Sequence, residues 1–387
     1  MIVGGDPGGS SYKATNGWKG DIVFARIYSS PLTTAQVKAL YKKTQDAKSA
    51  ANVFVTDYSY STGVAVKAGA AYTITGKGFA AGDKISIVSG SQEMSVPVTV
   101  TDGGVEISLP EGIVNDKRYF LYVERGDKKQ TLGMCKFYVT DELPQGTKVI
   151  AHRGYWNTTG SAQNSRTSLQ KAIDLHCYGS ETDVWLTTDK ELMVNHDASF
   201  NGVTIKDATA AQCKALKLSN DETMPTLNDL LSIVANENWT TDTTKLIIEI
   251  KDHGTDDLNI EAAETTVNAV YEAGVQDRVE YISFSLVACN ALHDADSEAK
   301  VSYLNGDKSP EELSALGLSG LDYTLSVYNS NPTWISGARN LDLTTNVWTI
   351  NSTDEIIKCN NLGIDYITTD NPVEALKYQT YYQNLNK

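Results

Sequence analysis

The chain has 387 residues, 41% of them hydrophobic, enough for two or three domains with sizeable cores. Its formal net charge is −15, from 33 Lys and Arg against 48 Asp and Glu. That argues against nucleic acid or an anionic membrane surface as the general partner, because both are bound through basic patches. No run of about 18 apolar residues occurs, so stable membrane insertion is not expected. Residues 1–20 are rich in Gly and Ser and hold no apolar signal-peptide core. The five cysteines, Cys135, Cys177, Cys213, Cys289 and Cys359, have neither CxxC nor zinc spacing and read as buried free thiols.

Residues 1–50 begin with a polar stretch and then a strand pattern, Ile22-Val23-Phe24-Ala25-Arg26-Ile27-Tyr28. Near-helical spacing follows from Leu32 to Tyr41, where Thr33 and Gln36 suit a capping box. This stretch resembles the closing strand and helix of a laminin-G or concanavalin-like jelly roll. The expectation is a partial domain tail ending in a linker. Residues 51–142 read as all-β, with short alternating runs at Ala71–Gly76, Lys84–Val88, Val96–Val100 and Tyr119–Val123 between Gly, Asp and Asn turns. The segment from Tyr72 to Ile87 resembles immunoglobulin-like β-sandwich modules of bacterial surface and secreted proteins. It holds no catalytic cluster, and a spacer role is expected, with contact to a surface glycan or protein as the alternative.

From residue 147 to 387 strand and helix patterns alternate. Strand-like runs lie at 148–152, 179–186, 191–195, 245–251, 279–285, 300–304, 321–327, 343–349 and 364–369. Helical spacing recurs at 226–237, 258–273, 286–294, 309–316, 332–339 and 353–361, and Leu169, Ala172, Ile173 and His176 mark one face of a further helix, with His176 expected to pack. A βα repeat of about 240 residues is the size of a TIM (β/α)8 barrel, whose active sites lie at the C-terminal ends of the strands. The expected fold class is α/β: a TIM barrel catalytic domain preceded by an all-β sandwich.

Ionisable residues gather at those strand ends. His152 ends the first run and Arg153 follows it, Glu181 and Asp183 lie on the second, His196-Asp197 follow the third, and Glu249 and Lys251 lie at the end of the fourth. Strand side chains alternate faces, so Glu181 and Asp183 point the same way, as do Glu249 and Lys251. Three converging carboxylates without cysteine suit a hard divalent cation, Ca²⁺ or Mg²⁺. Such a cation would neutralise charge on a phosphoryl oxygen, while Arg153 as a fork and Lys251 as a point charge hold the other oxygens. His152 and His196 titrate near neutrality and suit proton exchange with the attacking and leaving oxygens. His253 is expected to be a loop histidine and His293 a surface one.

Residues 147–376 resemble the glycerophosphodiester phosphodiesterase family. The resemblance rests on His152-Arg153-Gly154, Glu181-Thr182-Asp183, His196-Asp197, Glu249-Ile250-Lys251, Trp348-Thr349-Ile350-Asn351 and Thr369-Asp370-Asn371-Pro372. It implies that His152 and His196 are the acid/base pair and that Glu181, Asp183 and Glu249 are metal ligands. Arg153 and Lys251 would contact phosphate, and Trp348 would wall the pocket for the glycerol or head group. The segment from Ala198 to Pro225 would be the insertion that shapes the substrate mouth.

The implied reaction is hydrolysis of a small glycerophosphodiester to sn-glycerol 3-phosphate and an alcohol, in a periplasmic, cell-surface or secreted bacterial setting. The attacker is either water or the substrate's own glycerol hydroxyl. Alternatives are a phospholipase or teichoic-acid phosphodiesterase on the same barrel, and a non-catalytic surface binding protein. One departure stands out: where the family has Pro-Glu-Asn-Thr, this chain has Ala162-Gln163-Asn164-Ser165. If that position orients Arg153, the Gln163 carbonyl still serves, with a weaker hydrogen bond.

Overall fold

The computed structural model describes residues 53–237, 240 and 243–387. The laminin-G-like reading of residues 1–50 lies outside them. Of the described residues, 53–61, 69–112 and 118–135 form one compact unit, and 62–68, 113–117 and those from 136 onward form another.

The smaller unit is built of short strands. Its chain-order elements are β1 (Thr56–Ser59), β3 (Ala71–Lys77), β4 (Lys84–Ser89), β5 (Gln92–Pro97), β6 (Thr99–Thr101), β7 (Gly104–Ser108), β8 (Arg118–Arg125) and most of β9 (Lys128–Lys136). They make two four-stranded sheets, ordered β1-β3-β7-β6 and β5-β4-β8-β9. Alternation decides which residues are inside: Tyr72 and Ile74 on β3 and Tyr119, Leu121 and Val123 on β8 are buried, while Thr73 and Phe120 between them are exposed. The run Val96–Val100, read as one strand, is in fact two. Pro97 ends β5, which pairs with β4, and β6 then pairs with β7 in the other sheet. Proline has no N–H to continue a ladder, and the Val98 N–H turns to Asp83 O at 3.3 Å.

In the larger unit, β2 (Ala65–Lys67) pairs in parallel with β10 (Tyr138–Thr140). Val64 and Ala65 are buried with Ile357 and Tyr382, and Asn361 Nδ2 donates to Gly63 O at 2.7 Å. The rest is a closed barrel of eight parallel strands: β11 (Lys148–Ala151), β12 (Gly179–Leu186), β16 (Lys245–Ile250), β17 (Val279–Ser283), β18 (Val301–Tyr303), β19 (Gly320–Thr324), β20 (Thr344–Trp348) and β21 (Tyr366–Thr369). The ring closes where β11 pairs with both β12 and β21. A short antiparallel strand, β13 (Leu192–Val194), adds to β12.

Alternation along each strand serves two cores. Val149 and Ala151 on β11 and Leu246, Ile248 and Ile250 on β16 pack outward against helix residues such as Leu169, Leu231 and Val267. Ile150, Ile247, Ile282 and Leu304 form a separate cluster inside the barrel. Glu249 shares a face with Ile247, which brings its carboxylate to the barrel interior.

Three expectations are corrected here, and the segment 198–225 is given its structure. The run 321–327 is not all strand: β19 stops at Thr324 and a helix, Leu325–Ser330, follows. The turn lets Tyr328 bury its ring and donate its OH to Leu321 O at 2.9 Å. His176 does not pack. It is exposed, in the left-handed region at φ 55°, and ends the helix Arg166–Asp174 by donating its N–H to Ile173 O. His293 is partly buried, its ring close to Gly317, rather than fully at the surface. The segment 198–225 folds as a hairpin, β14 (Ser199–Phe200) with β15 (Val203–Thr204), and a short helix, Ala210–Lys214. A satellite core of Ile205, Ala208, Cys213 and Met224 on Trp185 and Met193 holds it.

Candidate active site

A cavity of about 130 Å³ opens at the C-terminal ends of the barrel strands. Among its lining residues are His152, Arg153, Glu181, His196, Glu249, Lys251 and Trp348. Seven of the eight residues nominated from sequence therefore line one space, and the eighth, Asp183, touches it through Lys251.

The carboxylates meet because of strand register. Asp183 on β12 is directly opposite Glu249 on β16, and Glu181 lies two residues earlier on the same face of β12. Each of the three offers one oxygen within 4.8 Å of the others. All are buried, Glu181 at 3% exposure, so their charges repel in a poorly solvated space. Burial, then the charges of Asp183 and Glu249, push the Glu181 carboxyl well above its ordinary value. Burial and the Asp183 charge push Glu249 up to about 7. Burial works against ionisation of Asp183 too, but Lys251 and the Asn164 amide hold it below the usual range.

Lys251 Nζ lies 2.7 Å from both Asp183 Oδ1 and Glu249 Oε1. With all three carboxylates ionised, as a bound cation would hold them, one ammonium leaves two negative charges, the complement of a divalent cation. Glu181 Oε2 accepts the Arg153 backbone N–H at 2.7 Å, whereas its Oε1 is buried without a hydrogen-bond partner. An orphaned carboxylate oxygen beside two others, with no nitrogen or sulfur donor in the set, fits a hard oxygen-seeking cation.

The backbone at His152-Arg153-Gly154 is shaped for this. Arg153 is at φ 55° and Gly154 at φ 75°. A Cβ on Gly154 would sit 2.7 Å from the Ser168 backbone carbon, so only glycine lets the chain pass the helix start. Ser165 caps that helix in a reciprocal capping box with Ser168. The Arg153 side chain donates from Nη1 to Gln163 Oε1 at 2.8 Å, while its Nε is buried and unpartnered. Gln163 thus orients Arg153 as expected of the residue at that position. Its neighbour Asn164 accepts from Thr182 Oγ1 and the Asp183 N–H and donates to Asp183 Oδ2, which fixes that carboxylate.

Each nominated histidine has a carboxylate behind it. His152 Nδ1 is 2.9 Å from Asp370 Oδ1, and His196 Nδ1 is 2.8 Å from Asp197 Oδ1. A carboxylate accepts, so in each ring Nδ1 carries the proton and Nε2 is the nitrogen left for substrate. Asp370 also accepts from Trp156 Nε1 at 3.0 Å and from Asn351 Nδ2 at 2.8 Å. Burial opposes its ionisation, but His152 and these donors bring it down to about 2. Burial and Lys251 hold His196 below its ordinary value.

His253 is no part of the site. It is 3% exposed, its Nδ1 donates to Lys251 O at 2.7 Å, and its Nε2 accepts the Leu186 N–H at 2.8 Å. Both nitrogens are used in ordering the loop after β16. The five cysteines are all buried and free.

Sequence reading did not assign roles to Asp370, Asn351, Asn164, Thr368, Phe284 or Asp322. The first two were within reach, because the Thr369-Asp370-Asn371-Pro372 and Trp348-to-Asn351 motifs end neighbouring strands. Asp322 had no local signal: it sits inside an apolar-looking strand and only the barrel's closure brings it to the cavity.

Residues 152–374 match the model of the glycerophosphoryl diester phosphodiesterase family. A curated relative, the glycerophosphodiester phosphodiesterase of Caldanaerobacter subterraneus, is 25% identical over 240 residues, 58% of this chain and 95% of that protein. A solved glycerophosphodiester phosphodiesterase from Parabacteroides distasonis is 42% identical with a TM-score of 0.59, covering 62% of this chain and 98% of its own. A phosphodiesterase from Oleispira antarctica, solved with the product sn-glycerol-3-phosphate, has the same fold at 24% identity and a TM-score of 0.52, over 61% of this chain and 96% of that one. The chain belongs to the glycerophosphoryl diester phosphodiesterase family, and its enzyme class is glycerophosphodiester phosphodiesterase.

Proposed function

We propose that the chain hydrolyses small glycerophosphodiesters to sn-glycerol 3-phosphate and an alcohol, with His152 and His196 exchanging the protons and Glu181, Asp183 and Glu249 holding Ca²⁺ or Mg²⁺. The observation that carries this reading is one cavity lined by two carboxylate-paired histidines, Arg153, Lys251 and a buried carboxylate cluster of net charge suited to a divalent cation. Held by Glu181, Asp183 and Glu249, the cation would supply Lewis-acid stabilisation of charge on a phosphoryl oxygen.

The chain's own groups do the rest. Arg153, held by Gln163, presents its unpartnered Nε to a phosphate oxygen, and Lys251 remains charged despite burial because Asp183 and Glu249 raise its pKa. His196 is the base. Its lowered pKa keeps Nε2 unprotonated at neutral pH, ready to take the proton of the attacking oxygen, whether water or the substrate's glycerol hydroxyl. His152 is the acid. The ionised Asp370 accepts its Nδ1–H and orients the ring, so that Nε2 is the nitrogen that donates to the leaving alcohol. Trp348, edge-on to Phe284 with centroids 5.4 Å apart, walls the organic part of the substrate.

The test is release of sn-glycerol 3-phosphate from glycerophosphocholine, glycerophosphoethanolamine and glycerophosphoglycerol, with Ca²⁺, with Mg²⁺ and with EDTA. Cation-dependent release from at least one is expected. No release from any, with turnover of a lipid or teichoic-acid diester instead, would overturn the assigned substrate.

A further inference from the structure

Asp322 is a carboxyl that the proposed reaction does not use. It lies on β19 inside the barrel, 1% exposed, and lines the same cavity as His152, His196 and Trp348. It is outside the group of carboxylates that can share a cation. Asp322 pairs with Asn346 and Thr324 with Trp348 across β19 and β20, so its carboxyl is one strand step deeper than the indole. Trp348 Nε1 donates to the Asp322 backbone oxygen at 2.9 Å, which fixes the indole above it.

The carboxyl is under-used. Oδ1 is buried and has no hydrogen-bond partner. Asn346, whose amide also donates to Thr368 Oγ1 at 3.0 Å, hydrogen-bonds the carboxyl, so its pairing is partial and Oδ1 has no share in it. A buried polar atom of a native protein is normally paired, so an orphan oxygen on a residue that lines a cavity is a place for a ligand group to complete. Burial pushes Asp322 up to about 8, so at neutral pH it is mainly the uncharged acid, able both to donate and to accept. That pairing capacity matches an alcohol hydroxyl, which also does both. It does not match an ammonium head group, which only donates and carries charge.

We propose that Asp322 is a specificity-determining residue that hydrogen-bonds the hydroxyls of the substrate's glycerol moiety, selecting glycerol-bearing phosphodiesters over those with a plain alkyl group. The glycerol end enters beneath Trp348, the phosphate stops at Arg153 and Lys251, and the leaving head group faces the open side. This rests on the glycerophosphodiester reading above.

The experiment measures binding to the full chain loaded with divalent cation, by calorimetry, for sn-glycerol 3-phosphate, propyl phosphate and inorganic phosphate. Wild type is expected to bind sn-glycerol 3-phosphate at least tenfold tighter than propyl phosphate, a result that needs no variant to fold. Asp322→Leu is expected to weaken sn-glycerol 3-phosphate at least tenfold more than inorganic phosphate, and Asp322→Asn, which keeps a donor and an acceptor, to weaken it less than Leu does. Equal affinities of wild type for sn-glycerol 3-phosphate and propyl phosphate would overturn the proposal, as would equal losses for both anions in Asp322→Leu. The two readings fail separately. Turnover of glycerophosphodiesters with no preference for sn-glycerol 3-phosphate removes Asp322 alone. Preference for sn-glycerol 3-phosphate without turnover of any glycerophosphodiester removes the hydrolysis and keeps Asp322.

Discussion

Arg153 Nη1 donates to Gln163 Oε1 at 2.8 Å, so a neutral amide orients the guanidinium where the family has a glutamate. A hydrogen bond to a charged group contributes about 1.5–3 kcal/mol, and about 1.4 kcal/mol is tenfold in rate. Gln163→Leu is therefore expected to lower kcat/KM on a glycerophosphodiester about tenfold or more, while Gln163→Glu stays at or above the wild-type value. Steady-state kinetics on purified variants checks this. A Leu variant as active as wild type would mean that packing alone holds Arg153.

Asp370 supplies the second relationship. It is the hub of donors from His152, Trp156 and Asn351, and it is ionised throughout the physiological range. Asp370→Asn keeps the shape but presents an amide that can donate where His152 Nδ1–H needs an acceptor, which favours the wrong tautomer. A fall in kcat of about 10²-fold is expected, within the span of general acid–base contributions. KM should change much less, and equal losses in kcat and KM would point to a collapsed pocket instead.

As a proposed ligand, Glu249 would link cation binding to stability. Its folded-state pKa of about 7 lies above the ordinary carboxylate value. Between those two values the folded state holds a proton that the unfolded state has lost, so this group makes the cation-free protein less stable as pH rises through that window. A bound cation takes over the proton's role. The rise in melting temperature on adding Ca²⁺ or Mg²⁺ is therefore expected to be larger at pH 8 than at pH 5, and Glu249→Gln should flatten the pH dependence. Calorimetric scans with and without EDTA check both, and a cation effect independent of pH would contradict them.

Much of the site was legible because barrel chemistry sits at strand ends, and the two-residue period of a strand says which carboxylates share a face. Glu181 with Asp183, and Glu249 with Lys251, could be paired on that ground before any coordinates. The cross-strand neighbour, Asp183 opposite Glu249, needs the β12–β16 register, which no local pattern carries. Asp322 and Thr368 were beyond reach for the same reason. The misread positions were places where one turn of helix and a short strand look alike, as at Leu325–Val327, or where a left-handed residue ends a helix, as at His176. His253, close to Lys251 in sequence, was expected to be a loop histidine, and with both ring nitrogens committed to the backbone it has none left for chemistry.

The most direct measurement is turnover of glycerophosphoethanolamine by His152→Ala and His196→Ala beside wild type, with cation affinity determined on the same samples. Loss of about 10²–10⁴-fold in kcat for each variant, the usual range for removing a general acid or base, is predicted, with cation affinity held within about threefold. His196→Ala should also remove the acid limb of the pH–rate profile, which in wild type is predicted to lie below the ordinary histidine range because protonating His196 abolishes the base. Near-wild-type turnover in either variant, or loss of activity explained by loss of the cation, would contradict proton exchange by the two histidines.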